Sequence, residues 1–342
     1  MSAPLTVYDH IDANNRKTWL LIALFPLSLA LLVWAACYLA LYAINDPEFT
    51  RQGLVLLAKA WPGAVKIAAE NNFVLMASFG YLGAALLPIV VIALGWMAIS
   101  YFFGDKMMLG FAGAQPLRPE DNPEIYRHVE NVAIMAGLPM PKVYLINDES
   151  MNAFATGHSP DTASVALTSG IIKRLTPLEL EAVIAHEMGH IGNRDIRLNL
   201  LIITGLSIFG FLADMVRLSL YSRRSGNSKN NQAQVLIFFI VIALLIFNFA
   251  VAPLIRLAVS RTREYAADAT GALITRNPQQ LALALAKIAQ DSRVEVLDKS
   301  PRMAIACIAE PNSLNQFTST HPSIESRIER LMQMSGMARE EA

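Results

Sequence analysis

Four stretches of this chain run almost without charge: residues 18–44, 73–103, 198–220 and 235–259. Each is long enough to cross a hydrocarbon layer of about 30 Å. A backbone placed in lipid must satisfy its own hydrogen bonds, so such stretches become helices. Composition agrees, with 54% hydrophobic residues, 16% charged residues and a mean hydropathy of +0.38. The first stretch exceeds a signal-peptide core and no small-x-small cleavage site ends it, so it reads as an uncleaved anchor. Pro88 is expected to kink the second stretch, and Asp214 and Arg217 interrupt the far end of the third. A zero net charge without a long basic tract argues against nucleic-acid binding. Cys37 and Cys307 are far apart and indicate neither a disulfide framework nor zinc-ligand spacing.

The chain between and after these stretches is polar enough to fold in water. Residues 45–72 form a mixed connection, and Leu54–Trp61 reads either as an interfacial helix or as a plain loop helix. From Gly104 onward the sequence turns soluble in character. Pro119–Leu138 reads as a helix, with Asn122-Pro123 near its start and Gly137 near its end. Lys142–Asn147 reads as a strand, and Met151–Gly157 and Ala163–Thr168 as a strand pair around His158-Ser159-Pro160-Asp161. The next helix begins at Leu175, with Thr176 as N-cap and Glu179 completing a capping box. The fold class expected is mainly α with a small β-sheet, an integral membrane protein with about four transmembrane helices. The divisions expected are an N-terminal membrane hairpin (1–104), a first soluble part (105–197), a second hairpin (198–260) and a second soluble part (261–342).

Within the Leu175 helix lies His186-Glu187-Met188-Gly189-His190, an H-E-x-x-H motif in an otherwise apolar run. Histidines four apart share one helical face, so both imidazoles can reach one Zn²⁺. Glu187 is placed to take a proton from a water held by that metal. The bare motif also fits a helix with two surface histidines, but the apolar residues around it make that costly, because buried polar groups need partners. A zinc hydrolase site needs a third ligand from elsewhere. The best source is Arg263-Glu264-Tyr265-Ala266-Ala267-Asp268, where Glu264 and Asp268 again stand four apart. Glu264 would bind zinc, and Asp268 would hold the far ring nitrogen of a zinc histidine. The competing reading is an exposed helix with a salt-bridge face.

These motifs resemble those of the HtpX-type membrane zinc proteases, which are gluzincins related to the CAAX prenyl proteases. The matching residues are His186–His190, Glu264–Asp268, a late His321-Pro322, and Asn152-Ala153-Phe154 ahead of the zinc helix. The resemblance runs from the first apolar stretch to about Arg330. It implies a gluzincin-type protease domain, one Zn²⁺ per chain, His186, His190 and Glu264 as ligands, and Glu187 as general base. It also implies an edge strand at Asn152, Ala153 and Phe154 that pairs with extended substrate, His321 as an oxyanion stabiliser, and a substrate-binding or orienting role for Arg327. From the residues alone, Asn152 also fits a turn, His321 also fits a helix start before Pro322, and Arg327 also fits pairing with Glu325 or Glu329.

The expected activity is endopeptidase cleavage of damaged or misassembled membrane proteins, with polypeptides and the lipid bilayer as partners. The resemblance places the protein in a bacterial inner membrane with its catalytic part in the cytoplasm. Arg16, Lys17, Lys106 and Arg118 agree with that orientation, whereas Arg217, Arg223, Arg224 and Lys229 oppose it. Three rivals are weighed. A CAAX-type prenyl-peptide protease would need a larger ring of membrane helices. A non-catalytic zinc scaffold or chaperone would have no use for Glu187. A transporter would carry ionisable groups inside its spans, and these carry almost none.

Overall fold

The structure, a computed structural model, describes residues 47–61, 73–202, 261–290 and 322–336, with part of 16–42. His321, nearly all of the third apolar stretch and all of the fourth lie outside the described residues. The chain forms two compact units, one of residues 19–99 and 205–254, the other of residues 1–18, 100–204 and 255–342.

In the first unit a short apolar helix covers Ala30–Tyr42, and helix α1 spans Pro47–Ala60. The mixed connection is therefore helical here. Glu48 in its first turn and Lys59 in its last match the helix dipole. Helix α2 spans Phe73–Phe111 and contains Pro88 in its interior. α1 and α2 touch backbone to backbone at glycines. A Cβ on Gly53 would stand 2.6 Å from the Ala77 carbonyl oxygen, and one on Gly80 would overlap the Gly53 carbonyl.

Leu86–Phe111 is the one helix among the described residues long and apolar enough to cross a membrane. It has 26 residues, a hydropathy of 2.2, and only 12% of its most apolar window is buried. The second stretch was expected to end near Phe103, but the helix continues to Phe111. Gly104, Asp105 and Lys106 do not break it, because Met108 and Leu109 follow with a new buried face.

The second unit is built on a four-stranded sheet. Its strands are β1 (Gln115–Pro116), β2 (Lys142–Ile146), β3 (Ala153–Thr156) and β4 (Ser164–Thr168), in the order β1-β2-β4-β3. β2 runs parallel to β4, and β3 runs antiparallel to it. β3 is thus an edge strand. Helix α3 (Pro123–Ala136) is capped by Asn122, whose Oδ1 accepts from the Ile125 N–H at 3.2 Å. Gly137, at φ 64°, ends it in the left-handed conformation that glycine adopts freely. Ile125, Val129, Val132 and Ala133 form its buried stripe. A short helix α4 (Ser169–Arg174), absent from the sequence reading, turns off β4 with Thr168 as its cap.

Helix α5 (Pro177–Gly192) carries the H-E-x-x-H motif. Its capping box forms as expected: Thr176 accepts from the Glu179 N–H, and Glu179 accepts from the Thr176 N–H at 2.7 Å. Glu179 also pairs with Lys287 at 2.7 Å. Every residue from Ala182 to Gly189 is buried, with Glu181 and His190 half-buried on either side, so this part of the helix sits inside the core rather than on it. Helices α6 (Arg261–Thr275), α7 (Pro278–Ile288) and α8 (Ile324–Met334) complete the unit.

The contact that positions the site is the crossing of α5 and α6. A Cβ on Gly271 would lie 2.9 Å from the His186 backbone nitrogen, and one on Gly189 would lie 3.2 Å from the Ala267 carbonyl oxygen. Two glycines therefore let the helix backbones meet, at a helix-propensity cost of about 1 kcal/mol each relative to alanine. Gly271→Val is expected to force the helices apart, lowering stability by about 1–3 kcal/mol and weakening metal uptake. Thermal unfolding and metal titration of the detergent-purified variant would check this.

Candidate active site and metal centre

The imidazoles of His186 and His190 meet edge to face, with ring centroids 4.7 Å apart. α6 brings Glu264 against both. His186 Nε2 is 3.8 Å from Glu264 Oε2, and His190 Nε2 is 3.6 Å from Glu264 Oε1. The three ligand atoms lie within 4.8 Å of one another, and all three residues are buried or nearly so. Atoms bonded to one tetrahedral zinc stand roughly 3.3–3.6 Å apart. The spacing and the two-imidazole, one-carboxylate donor set therefore fit a zinc ion.

Both rings turn Nε2 inward and Nδ1 outward, towards carboxylates. His186 Nδ1 lies 3.0 Å from Asp268 Oδ1. His190 Nδ1 lies 2.8 Å from Asp195 Oδ2. At His190 the contact is a hydrogen bond, and such an outward acceptor fixes the tautomer that leaves Nε2 free to ligate, whereas at His186 it is a close ion-pair contact. Asp195 was passed over in the sequence as part of a connection. Its signal was an acid five residues beyond the second histidine. Arg194, at φ 58°, makes the left-handed turn between α5 and the helical residues 195–202. Burial works against a charged His190, but the Asp195 hydrogen bond and the charges of Glu264, Asp195 and Glu187 prevail, pushing its pKa up to about 9.

Glu187 is 1% exposed. Burial pushes its carboxyl above the usual range. The two imidazoles and an accepted Ala155 backbone N–H pull it down, and Glu264 adds to the rise. That N–H identifies the outer edge of β3. Asn152 O takes the Thr168 N–H on the β4 side, whereas the Ala155 N–H points the other way, to Glu187. Asn152 and the β3 residues Ala153 and Phe154 are buried. The Asn152 Oδ1 accepts from the Ala153 N–H at 2.9 Å, and the Asn152 N–H donates to Thr168 Oγ1 at 3.0 Å.

Arg327 on α8 is fully buried. It clasps Asp268 through two bonds, Nε to Oδ2 at 2.9 Å and Nη2 to Oδ1 at 2.7 Å. Its Nη1 is 3.5 Å from Glu264 Oε2, and its Nη2 is 3.4 Å from His186 Nε2. Arg327 thus stands behind Asp268 and beside Glu264 and His186. Burial alone would raise the Asp268 pKa, but Arg327 and His186 bring it down to about 2 from the usual 3.8.

A buried pair of histidines and a carboxylate around one centre, with a glutamate beside the first histidine, defines a metal-dependent peptide hydrolase. Comparison with known proteins supplies the family. The sequence profile described as peptidase family M48 matches residues 119–335, and the chain belongs to that family of metalloproteases. It is 43% identical over 277 residues to a protease HtpX homolog of Tropheryma whipplei (strain TW08/27), covering 79% of this chain and 92% of that one. It is 35% identical over 331 residues to a protease HtpX homolog of Bacteroides fragilis (strain ATCC 25285), covering 94% and 96%. Among solved structures, S. mikatae Ste24p is similar with a TM-score of 0.43 and 20% identity, over 92% of this chain and 66% of that one.

The depressed Asp268 pKa makes an acid-stability prediction. A folded pKa below the unfolded value gives stability that is present above pH 3.8 and is lost as pH falls through 2. The contribution is on the order of 2 kcal/mol. Arg327→Met removes the main stabilising charge, so acid unfolding of the metal-free protein should move to higher pH. Near-ultraviolet circular dichroism during acid titration would check the direction.

Proposed function

We propose that this metalloprotease is a zinc endopeptidase of the membrane that cleaves misfolded or damaged membrane proteins. The observation that carries the catalytic reading is Glu187, buried, anchored by the Ala155 N–H and adjoining the His186–His190–Glu264 cluster. Nε2 of both histidines and the Glu264 carboxylate would hold the zinc. When bound, zinc polarises a scissile carbonyl and makes water acidic near neutral pH. Glu187 takes the proton of the attacking water and hands it to the departing amine. Its raised proton affinity suits both halves of that transfer. The outer edge of β3 is the proposed substrate-pairing strand, a mode that demands little of the substrate's sequence, although its Ala155 N–H is committed to Glu187 and its Ala153 N–H to Asn152 Oδ1. His321 would stabilise the oxyanion of the tetrahedral stage.

Membrane insertion is supported by the exposed apolar surface of Leu86–Phe111, where Leu87, Val91, Ile92, Leu94 and Phe102 stand open. So broad an apolar face needs lipid or a partner to cover it. We further propose four spans, with the catalytic part in the cytoplasm of a bacterial cell. A site whose residues flank spans three and four in sequence, just before the one and just after the other, would meet polypeptides close to the bilayer.

Digestion of an unfolded protein by the detergent-purified, zinc-loaded chain tests this. Glu187→Gln should lower the rate by roughly 10²- to 10⁴-fold while zinc content is unchanged, and a chelator should stop the wild type. If wild type and variant both bind zinc and neither cleaves soluble or membrane-inserted substrates, the chain is a scaffold and the reading fails.

A further inference from the structure

His186 and His190 differ in how their carboxylates are held. The Asp268 that faces His186 is clasped by Arg327. Behind His190, Asp195 is 1% exposed and presents Oδ2 to the ring at 2.8 Å. Its other oxygen, Oδ1, lies 3.7 Å from Nη1 of Arg263. Arg263 is 5% exposed, and its Nε, Nη1 and Nη2 are buried without a hydrogen-bond partner among the described residues. A buried guanidinium is costly unless a charge answers it, and Asp195 is an acid within ion-pair reach of Arg263.

The positions of the two residues give the pair a second property. Asp195 stands where the chain leaves α5, and Arg263 stands directly before Glu264, where the chain returns in α6. Residues 196–262, which include the third and fourth apolar stretches, begin and end at this pair. Seating Glu264 beside the histidines therefore also seats Arg263 beside Asp195.

We infer that Asp195 and Arg263 are a positioning pair that orients His190 for the metal, matching Asp268 and Arg327 at His186. Arg263 acts through Asp195 and touches neither metal nor substrate. The pair turns the return of the chain through α6 into a condition for a correctly aimed second histidine. This inference rests on the zinc reading of the site.

The test is metal binding by the full chain in detergent, measured by zinc competition against a chromogenic chelator and by the visible spectrum of the Co²⁺-loaded protein. Asp195→Ala and Arg263→Met should each weaken zinc binding, by roughly 10- to 100-fold for the Asp195 change, and should alter the Co²⁺ bands. Arg263→Lys, which keeps the charge, should recover part of both. The double variant should lose little more than the worse single one, as coupled residues do. Wild-type affinity and spectrum in Arg263→Met, or fully additive losses, would overturn the pairing. If Arg263→Met does not fold, Arg263→Lys and Asp195→Asn carry the same comparison. A wild-type chain that binds neither metal overturns the zinc reading itself, a result distinct from variants that bind as the wild type does.

Discussion

The active centre depends on one close helix crossing. α5 carries His186, His190 and Glu187, proposed as two ligands and the general base, and α6 carries Glu264, proposed as the third ligand, but the two helices are separated in sequence by the third and fourth apolar stretches. Their backbones meet at Gly189 and Gly271, where even a methyl group on Gly271 would intrude on the His186 nitrogen. With larger residues there the axes would separate, and Glu264 would stand too far from both imidazoles to share an ion with them. The motif glycine in H-E-x-x-H is thus a packing residue as well as a spacer.

Around that crossing the site is a buried assembly of charge. Glu187, Glu264, Asp268 and Asp195 are all nearly inaccessible, as are Arg263 and Arg327. Buried ions in this number persist only where each has a partner. Asp195, Glu264 and Glu187 raise the proton affinity of His190 against its burial, and Arg327 favours the ionised form of Asp268. The same network orients both rings. Electrostatics and geometry are here one arrangement, because the carboxylates that polarise each imidazole also aim it.

Much of this was legible in the sequence. The caps of α3 and α5 were readable, since Asn122, Gly137, Thr176 and Glu179 act on backbone groups within one turn. Strands β2, β3 and β4 were readable from short β-branched and apolar runs, whereas the two-residue β1 was not. The apolar stretch read from the sequence ends near Phe103 while α2 runs on to Phe111, because a local dip in hydropathy at Gly104–Lys106 does not end a helix whose next turn finds a buried face. α4 was missed because six residues carry too little periodicity to announce themselves. Asp195 and Arg263 were missed for a different reason. Each looks like an ordinary polar residue at the end of an apolar segment until the other is seen beside it.

The sequence by itself determined the chemistry on offer: two imidazoles and a glutamate on one helical face, an acidic pair four apart on another, and apolar stretches long enough for lipid. Those properties follow from helical period and side-chain type, which are local. Only the tertiary structure decided which carboxylate faces which ring, that Arg327 lies behind Asp268, and that the Ala155 N–H anchors Glu187. Those depend on contacts between segments as much as 141 residues apart. No local pattern encodes such distances, which are set by how closely two backbones can pack.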